Sequence, residues 1–329
     1  MNLLPTDEQV QLVDAAKSFL EGEAPMERLR PQYGQVGNHD GKLWPQLGEL
    51  GFLGIGVAEE HGGLGLGAAE ETLVFREYGR HLVSPGILGL VLAGRLAAGD
   101  AALTEKILAG KAKVGLSIRR QGGGWHLLEA KDADYVVSYS EEGSELRAVS
   151  DYVEVTDIMC MDSHLLLQRA KLSAAKPLRA VKGPELYHVA IQLLSAYAVG
   201  VAEGALRMGV EYAKIREQFG KVIGSFQAIK HKCADMAIWA EVASCQVAFS
   251  SVVVADKRAD AGFQVRASNL VAIDAALKNG ATNIQVHGAI GFTAETEAHV
   301  YLKRAHVLDT LSGSLREQRT GMLRDPVPA

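Results

Sequence analysis

The segment from Ile191 to Tyr212 is apolar on most faces and rich in alanine and glycine, and a helix without a polar face has to be covered by protein. It belongs inside a bundle or against another subunit, so this segment alone demands a multi-helix architecture. The chain around it has 329 residues, 48% of them apolar, which is enough to bury a sizeable core without disulfides. Its 34 Lys plus Arg against 39 Asp plus Glu leave a net charge of −5, so no overall electrostatic footprint for nucleic acid or an anionic membrane is present. Charged residues interrupt each apolar run, and no bilayer span is expected. Cys160, Cys233 and Cys245 lie far apart with no Cys-x-x-Cys pairing and read as buried thiols of a reducing compartment. The start, Met1-Asn-Leu-Leu-Pro-Thr-Asp7, lacks the pattern of a secretory signal, and a cytoplasmic protein is expected.

Hydrophobic periodicity divides the chain into three. From a Thr6-Asp7 start signal to about Gly110, Val10, Leu12, Val13, Ala16 and Leu20 recur at helical spacing, broken by Gly51-Phe-Leu-Gly-Ile-Gly56 and Glu60-His-Gly-Gly-Leu-Gly-Leu-Gly67. Between Ala112 and Leu178 the period becomes two, in Tyr135-Val-Val-Ser-Tyr139 and in Val153 and Val155 alternating with Glu154 and Thr156. Gly122-Gly-Gly124 and Glu141-Glu-Gly-Ser144 mark hairpins there. From Glu185 to about Arg319 the pattern is helical again. The expected fold is mainly α with a small β domain: residues 1–111 helical, 112–180 a short β domain, 181–329 a C-terminal helical bundle.

Neither glycine cluster of the first domain completes G-x-G-x-x-G after a strand, so glycines at helix ends and turns are the better reading than a dinucleotide loop. The ten histidines show no i, i+4 pairing that would suggest a metal, and none is expected. Two later segments are more specific. Arg216-Glu-Gln-Phe-Gly220-Lys-Val-Ile-Gly-Ser-Phe-Gln227 offers a forked cation for a pyrophosphate, aromatic faces at Phe219 and Phe226, and an amide at Gln227 near a helix N-terminus. An ordinary helix-loop-helix corner has the same outline. In Gln285-Val-His-Gly-Ala-Ile-Gly291-Phe-Thr-Ala-Glu295, Gly288 and Gly291 let backbone N–H groups approach an anion, and Thr293 is placed to cap the next helix. A tight interhelical turn is the alternative. The segments stand roughly 70 residues apart, so any shared ligand is assembled by folding or by dimerisation.

On these two segments, with Gly51-Phe-Leu-Gly54, Glu59-Glu-His-Gly-Gly63 and Arg304, the whole chain resembles the acyl-CoA dehydrogenases. The resemblance implies an N-terminal helical domain, a β domain and a four-helix C-terminal domain, with FAD as cofactor and an acyl-CoA thioester as substrate. It carries FAD contacts onto Arg216, Phe219, Phe226, Gln227, Gln285, Gly288, Ala289 and Gly291, the turn at 285–291 reaching the cofactor from the dimer mate. Ala289 stands where the family has a second glycine.

The catalytic half of the pattern departs. The carboxylate that removes the α-proton falls, by alignment from Gly291 through Gly313, on Ser312, and the alternative position on the first helix of the C-terminal domain falls on Ala190. Asp309 and Glu185 are the nearest carboxylates in sequence, and a solvated surface role is expected of each. The family's flavin-lining loops are replaced by Leu116-Ser-Ile-Arg-Arg-Gln121 and Ala130-Lys-Asp-Ala-Asp134. Such a chain is similar to the short subunit of the heteromeric enzymes of bacterial steroid degradation, which implies a larger homologous partner in an α₂β₂ heterotetramer. The alternatives are a self-sufficient homo-oligomer with a relocated base and a flavin-free structural subunit.

Overall fold

The structure is a computed structural model and describes residues 3–32, 40–120 and 122–327. Gln121, part of the expected flavin-side loop, lies outside the described residues. The chain gathers into two compact units: Met1–Tyr33 with Thr72–Leu82 and Ile191–Ala329, and Gly34–Glu71 with Val83–Ala190. Both α3 (Ala68–Arg80) and α6 (Glu185–Ile215) begin in the second unit and continue in the first.

In the first unit, α1 (Asp7–Glu23) starts where the sequence signals it. Thr6 accepts from the Gln9 N–H while the Gln9 side chain accepts from the Thr6 N–H, a closed capping box. The bundle consists of α6, α7 (Gln227–Ala255), α8 (Ala261–His287) and α9 (Ala298–Leu311), followed by α10 (Ser314–Met322). Asn279, fully buried on α8, donates to the carbonyls of Ala202 on α6 (2.9 Å) and Met236 on α7 (3.0 Å), which pins three helices at one level. At the crossing of α3 and α6 two glycines remove the side chains that would hold the backbones apart. A Cβ on Gly200 would lie 1.9 Å from the Arg76 carbonyl oxygen, and one on Gly79 would lie 2.0 Å from that of Tyr197.

An ionic lock surrounds this crossing. Glu203 accepts from Arg76 and from the Arg80 Nε (2.8 Å), and Arg80 also pairs with Glu77. Burial works to raise the Glu203 pKa, but the hydrogen bonds and charges of the two arginines outweigh it and hold the carboxyl below its ordinary value. Glu77 is shifted the other way, upward by burial.

The second unit carries α2 (Leu43–Glu49), α4 (Ile87–Ala97), α5 (Ala101–Leu108) and a seven-stranded sheet. Its strands are β1 (Val114–Arg119), β2 (Trp125–Leu128), β3 (Tyr135–Tyr139), β4 (Gly143–Ala148), β5 (Tyr152–Ile158), β6 (Leu167–Leu172) and β7 (Arg179–Lys182), in the order β5-β6-β2-β1-β3-β4-β7. Only β1 and β3 pair in parallel; the other pairs are antiparallel. One face buries Leu127, Val136, Tyr152 and Ala170, with the Tyr152 hydroxyl donating to Ser117 (2.8 Å). The glycine and Glu-Glu-Gly signals fall in the β1–β2 and β3–β4 turns as expected, and the sheet's last strand runs to Lys182.

The alternation at Val153 and Val155 falls on a strand as expected, and the two side chains are 43% and 41% exposed because β5 is an edge strand with an irregularity near Glu154. Two expectations are corrected. The cysteines form no disulfide among the described residues and are not fully buried: Cys160 and Cys233 are half-buried and Cys245 is exposed on α7. Apolar runs of membrane-spanning length do exist, since lone Glu203 and Glu241 fail to interrupt α6 and α7, and each helix holds an 18-residue window apolar enough to cross a bilayer. In α6 that window is 83% buried, the mark of a core helix; in α7 it is 33% buried.

Two outcomes are expected. Gly200→Ala forces backbones apart and lowers stability by about 1–3 kcal/mol, whereas Gly22→Ala, with nothing within 4 Å of the added Cβ, raises it by roughly 0.5–1 kcal/mol; urea unfolding midpoints measure both. The depressed Glu203 pKa contributes stability that is fully present above the unfolded value of about 4.3 and lost as the pH falls through the folded value. Glu203→Gln therefore lowers stability at pH 7 and flattens the acid limb of a stability–pH curve.

Candidate functional site

The C-terminal end of α6 leads into a minimal hairpin, β8 (Glu217–Gln218) and β9 (Lys221–Val222). Its two-residue turn, Phe219-Gly220, has φ of +55° and +75°, the left-handed pair that matches the twist of a tight hairpin. Gly220 takes this conformation freely, but Phe219 does so against its own Cβ. It stands 92% exposed at the tip and meets the Phe226 ring edge-to-face at 6.1 Å. The Lys221 ammonium lies 4.5 Å from the Phe226 centroid. Backbone bonds fix Arg216 on both sides, its N–H to the Tyr212 carbonyl (2.9 Å) and its carbonyl to the Ile223 N–H (2.7 Å). Its guanidinium is exposed, with no ion pair or hydrogen bond among the described residues. Phe226 occupies the N-cap position of α7 without a side-chain cap, and Gln227 opens the helix exposed to solvent. A cation, two aromatic rings and an uncapped helix N-terminus thus occur within twelve residues.

The second segment lies at the same end of the bundle. His287, the last residue of α8, stacks on Tyr212 of α6 with ring centroids 4.2 Å apart and planes at 21°. The Asn283 carbonyl lies 2.9 Å from His287 Nδ1, and since a carbonyl only accepts, Nδ1 carries the proton. Burial lowers the His287 pKa, against the opposing effect of that bond. The stack brings Tyr212, four residues before Arg216, against His287 of the second segment within one chain.

Gln285, Gly288 and Ala289 are exposed. Gly288 has φ +66° and ψ −141°, a region open essentially to glycine alone, and nothing lies within 4 Å of where its Cβ would be. Gly291 is buried, and a Cβ there would meet the Ile284 carbonyl at 2.7 Å, so helix packing already requires this glycine. Thr293 does not cap α9. Its hydroxyl donates to the Ile290 carbonyl and accepts from the Glu295 N–H, closing the turn, while Glu297 takes the N-cap position. Arg304 is buried, donating to the Leu82 carbonyl (3.0 Å) and the Tyr197 hydroxyl.

Both positions expected to hold a base are closed to that role. Ser312 is 1% exposed at the end of α9 and donates to the Leu308 carbonyl (2.8 Å); Ala190 is fully buried in α6. Asp309, expected to be solvated, is half-buried and accepts from the Leu315 N–H (2.9 Å), serving the first turn of α10. Glu185 is exposed at the start of α6. Of the replaced flavin-side loops, Ala130 and Ala133 are in the sheet core, and Asp134 accepts from the Lys113 N–H and pairs with Lys106. Sequence reasoning missed the Tyr212–His287 stack and Lys221. Tyr212 one helical turn before Arg216, and His287 inside the glycine turn, were the available signals.

Residues 6–114 match the acyl-CoA dehydrogenase N-terminal domain, and residues 188–324 match the acyl-CoA dehydrogenase C-terminal domain. This chain belongs to the acyl-CoA dehydrogenase family. It is 33% identical over 328 residues to acyl-CoA dehydrogenase IpdE2 of Mycobacterium tuberculosis, covering 96% of each chain. Among solved structures it resembles the ChsE4–ChsE5 complex from Mycobacterium tuberculosis (TM-score 0.86, 23% identity, 100% of both chains) and a Tcur3481–Tcur3483 steroid acyl-CoA dehydrogenase variant (TM-score 0.82, 23% identity, 97% of both chains). These likenesses bear out the mainly α fold with its small sheet.

The backbone-capping role of Asp309 has a measurable signature. Asp309→Ala lowers stability by about 1 kcal/mol, while Asp309→Asn keeps an acceptor for the Leu315 N–H and loses less, as thermal unfolding of the two variants checks.

Proposed function

We propose that this acyl-CoA dehydrogenase family chain is the base-lacking subunit of a cytoplasmic heteromer that oxidises an acyl-CoA thioester, and that it contributes the nucleotide-side contacts to FAD. One contrast carries the reading: the cation, aromatic and glycine set at the bundle end is open and unpaired, while both base positions are a buried Ser312 and a buried Ala190. The residues present suit FAD. Arg216 is a forked donor for its pyrophosphate, Phe219 and Phe226 are stacking faces for its adenine, and the Gly288 turn leaves room for backbone to approach. When bound, the flavin supplies the hydride acceptor. This chain's residues bind and orient it, and the α-proton is removed by a carboxylate of the partner.

The α7 surface favours a protein partner. The helix buries Met236, Ala240, Ala243, Val247 and Ser250, at alternating spacings of four and three, and leaves Ile238 (58%), Val242 (53%) and Cys245 exposed on another face. An open apolar stripe on a helix is a docking face, and it begins three turns from the proposed FAD contacts. The named assemblies among the structural neighbours, a two-component complex and a steroid enzyme pair, support a heteromer and a bulky acyl group.

Co-purification with a homologous partner that carries the missing glutamate tests the reading. The complex is expected to hold FAD and to turn over acyl-CoA, and the isolated chain to show no activity. Arg216→Ala in the complex is expected to reduce flavin content at least about tenfold, the effect of losing a charge-assisted bidentate contact. Full flavin and turnover in the isolated chain would defeat the proposal, and a flavin-free active complex would assign the chain a structural role.

A further inference from the structure

One end of a face of the sheet in the second unit gathers Arg120, His126, Arg169 and Lys171, and of these Lys171 has a carboxylate partner, Glu154. The register places Ile118 of β1, His126 of β2 and Arg169 of β6 in a row, with Thr156 of β5 beyond, and residues matched across strands point to the same face. Arg120 follows Ile118 by two positions at the exit of β1. Its N–H is tied to the Gly124 carbonyl (3.1 Å), and its Nη1 is 3.9 Å from the site of a Gly124 Cβ, which holds the guanidinium over the hairpin. Further along the same face Leu116 and Leu128 are buried, whereas Arg169 and Thr156 are exposed and His126 and Arg120 half-buried. The sheet face is therefore covered at one end and open at the basic end.

The two arginines are left without neutralising partners. Neither Arg120 nor Arg169 has an ion pair or side-chain hydrogen bond among the described residues. The neighbouring charges are committed elsewhere: Glu154 holds Lys171 (2.7 Å), and Asp157, on the opposite face, accepts from Gln168 (2.8 Å) and pairs with Lys131 (3.7 Å). Burial, with repulsion from Arg120 and Arg169, holds the His126 imidazole below its ordinary value.

We propose that Arg120, His126 and Arg169 form a binding site for a phosphate group, in a ligand of the phosphate-ester or diphosphate class. Neighbouring strands stand about 4.8 Å apart and two strand residues span about 6.7 Å, so the backbones of Arg169 on β6 and of Arg120 just past β1 are roughly 12 Å apart, a gap that two arginine side chains can close, with the imidazole between them. A carboxylate offers two coplanar oxygens and engages one guanidinium fork. A phosphate or diphosphate offers acceptors in several directions and meets both forks and the imidazole together. None of these residues belongs to the proposed flavin contacts, so the inference stands apart from the previous reading.

The test follows the His126 Cε1 proton by NMR in the full-length chain at low ionic strength, assigned by its loss in His126→Gln. Inorganic pyrophosphate is expected to raise the His126 pKa by about one unit, because a bound anion favours the imidazolium. Arg169→Gln and Arg120→Gln should each raise the ligand-free His126 pKa by removing a repulsive charge and reduce the pyrophosphate response. Arg216→Ala should leave it intact. Coenzyme A and pantetheine separate the sources: a response to coenzyme A but not to pantetheine assigns the phosphate to the thioester carrier, and a response to pyrophosphate alone assigns it to a free phosphate ligand. A His126 titration unmoved by pyrophosphate at about 10 mM, weaker than any useful affinity, or equal responses in wild type and both arginine variants, would overturn the site.

Discussion

The first unit depends on the burial of α6. A helix enclosed along most of its length must satisfy each polar group it carries, because an orphaned group in the interior costs more than a hydrogen bond returns. The structure meets this requirement group by group. Gln192 donates to Thr72 and to the Val247 carbonyl and accepts from Ser250. Ser195 returns its proton to the Ile191 carbonyl and accepts from Asn269. Glu203 is held by two arginines. Apart from the bond within α6, these partners lie on α3 (Thr72, Arg76, Arg80), α7 (Val247, Ser250) and α8 (Asn269), so the polar residues of α6 fix the rotation and level of three helices as well as satisfying themselves. Apolar packing supplies the driving force, and this small polar set selects one arrangement out of the many that packing alone would tolerate.

From that rotation the functional end follows. Fixing α6 and α8 in register brings Tyr212 and His287 into a stack at their C-terminal ends, and the two ligand-type segments emerge from there. Phe219 holds a left-handed backbone while its ring is almost wholly exposed. Its contact within the fold is the edge-to-face meeting with Phe226, and with the unpaired Arg216 four residues beyond Tyr212 it forms the exposed set on which the proposed flavin contact rests.

The extent to which this was legible in the sequence divides along physical lines. Local signals read correctly: the Thr6 capping box, the β3 strand at Tyr135–Tyr139, the hairpin glycines and the all-round apolar character of α6 each depend on neighbouring residues. The failures were matters of tertiary context. Cys245 could not be seen as exposed, since α7 is apolar on its outer face as well. Asp309 reads as a solvated carboxylate until the turn into α10 brings the Leu315 N–H back onto it, six residues away. For Gly291 the sequence offered ligand approach, and packing against Ile284 supplies a sufficient cause of its own.

The position onto which the family's catalytic carboxylate aligns is tied into the fold by its own hydrogen bonds. A glutamate at the end of α9 would need room and a proton acceptor's surroundings. Ser312 instead closes the helix on the Leu308 carbonyl, and its own carbonyl takes a bond from the buried Gln318. Ser312 is therefore a structural joint between α9 and α10. Nothing comparable has filled the 216–227 and 285–291 segments, where the cation stays unpaired and the Gly288 turn stays open. This contrast between a sealed helix end and an open cation and glycine turn is the physical basis of the proposal that the nucleotide end is where the chain works.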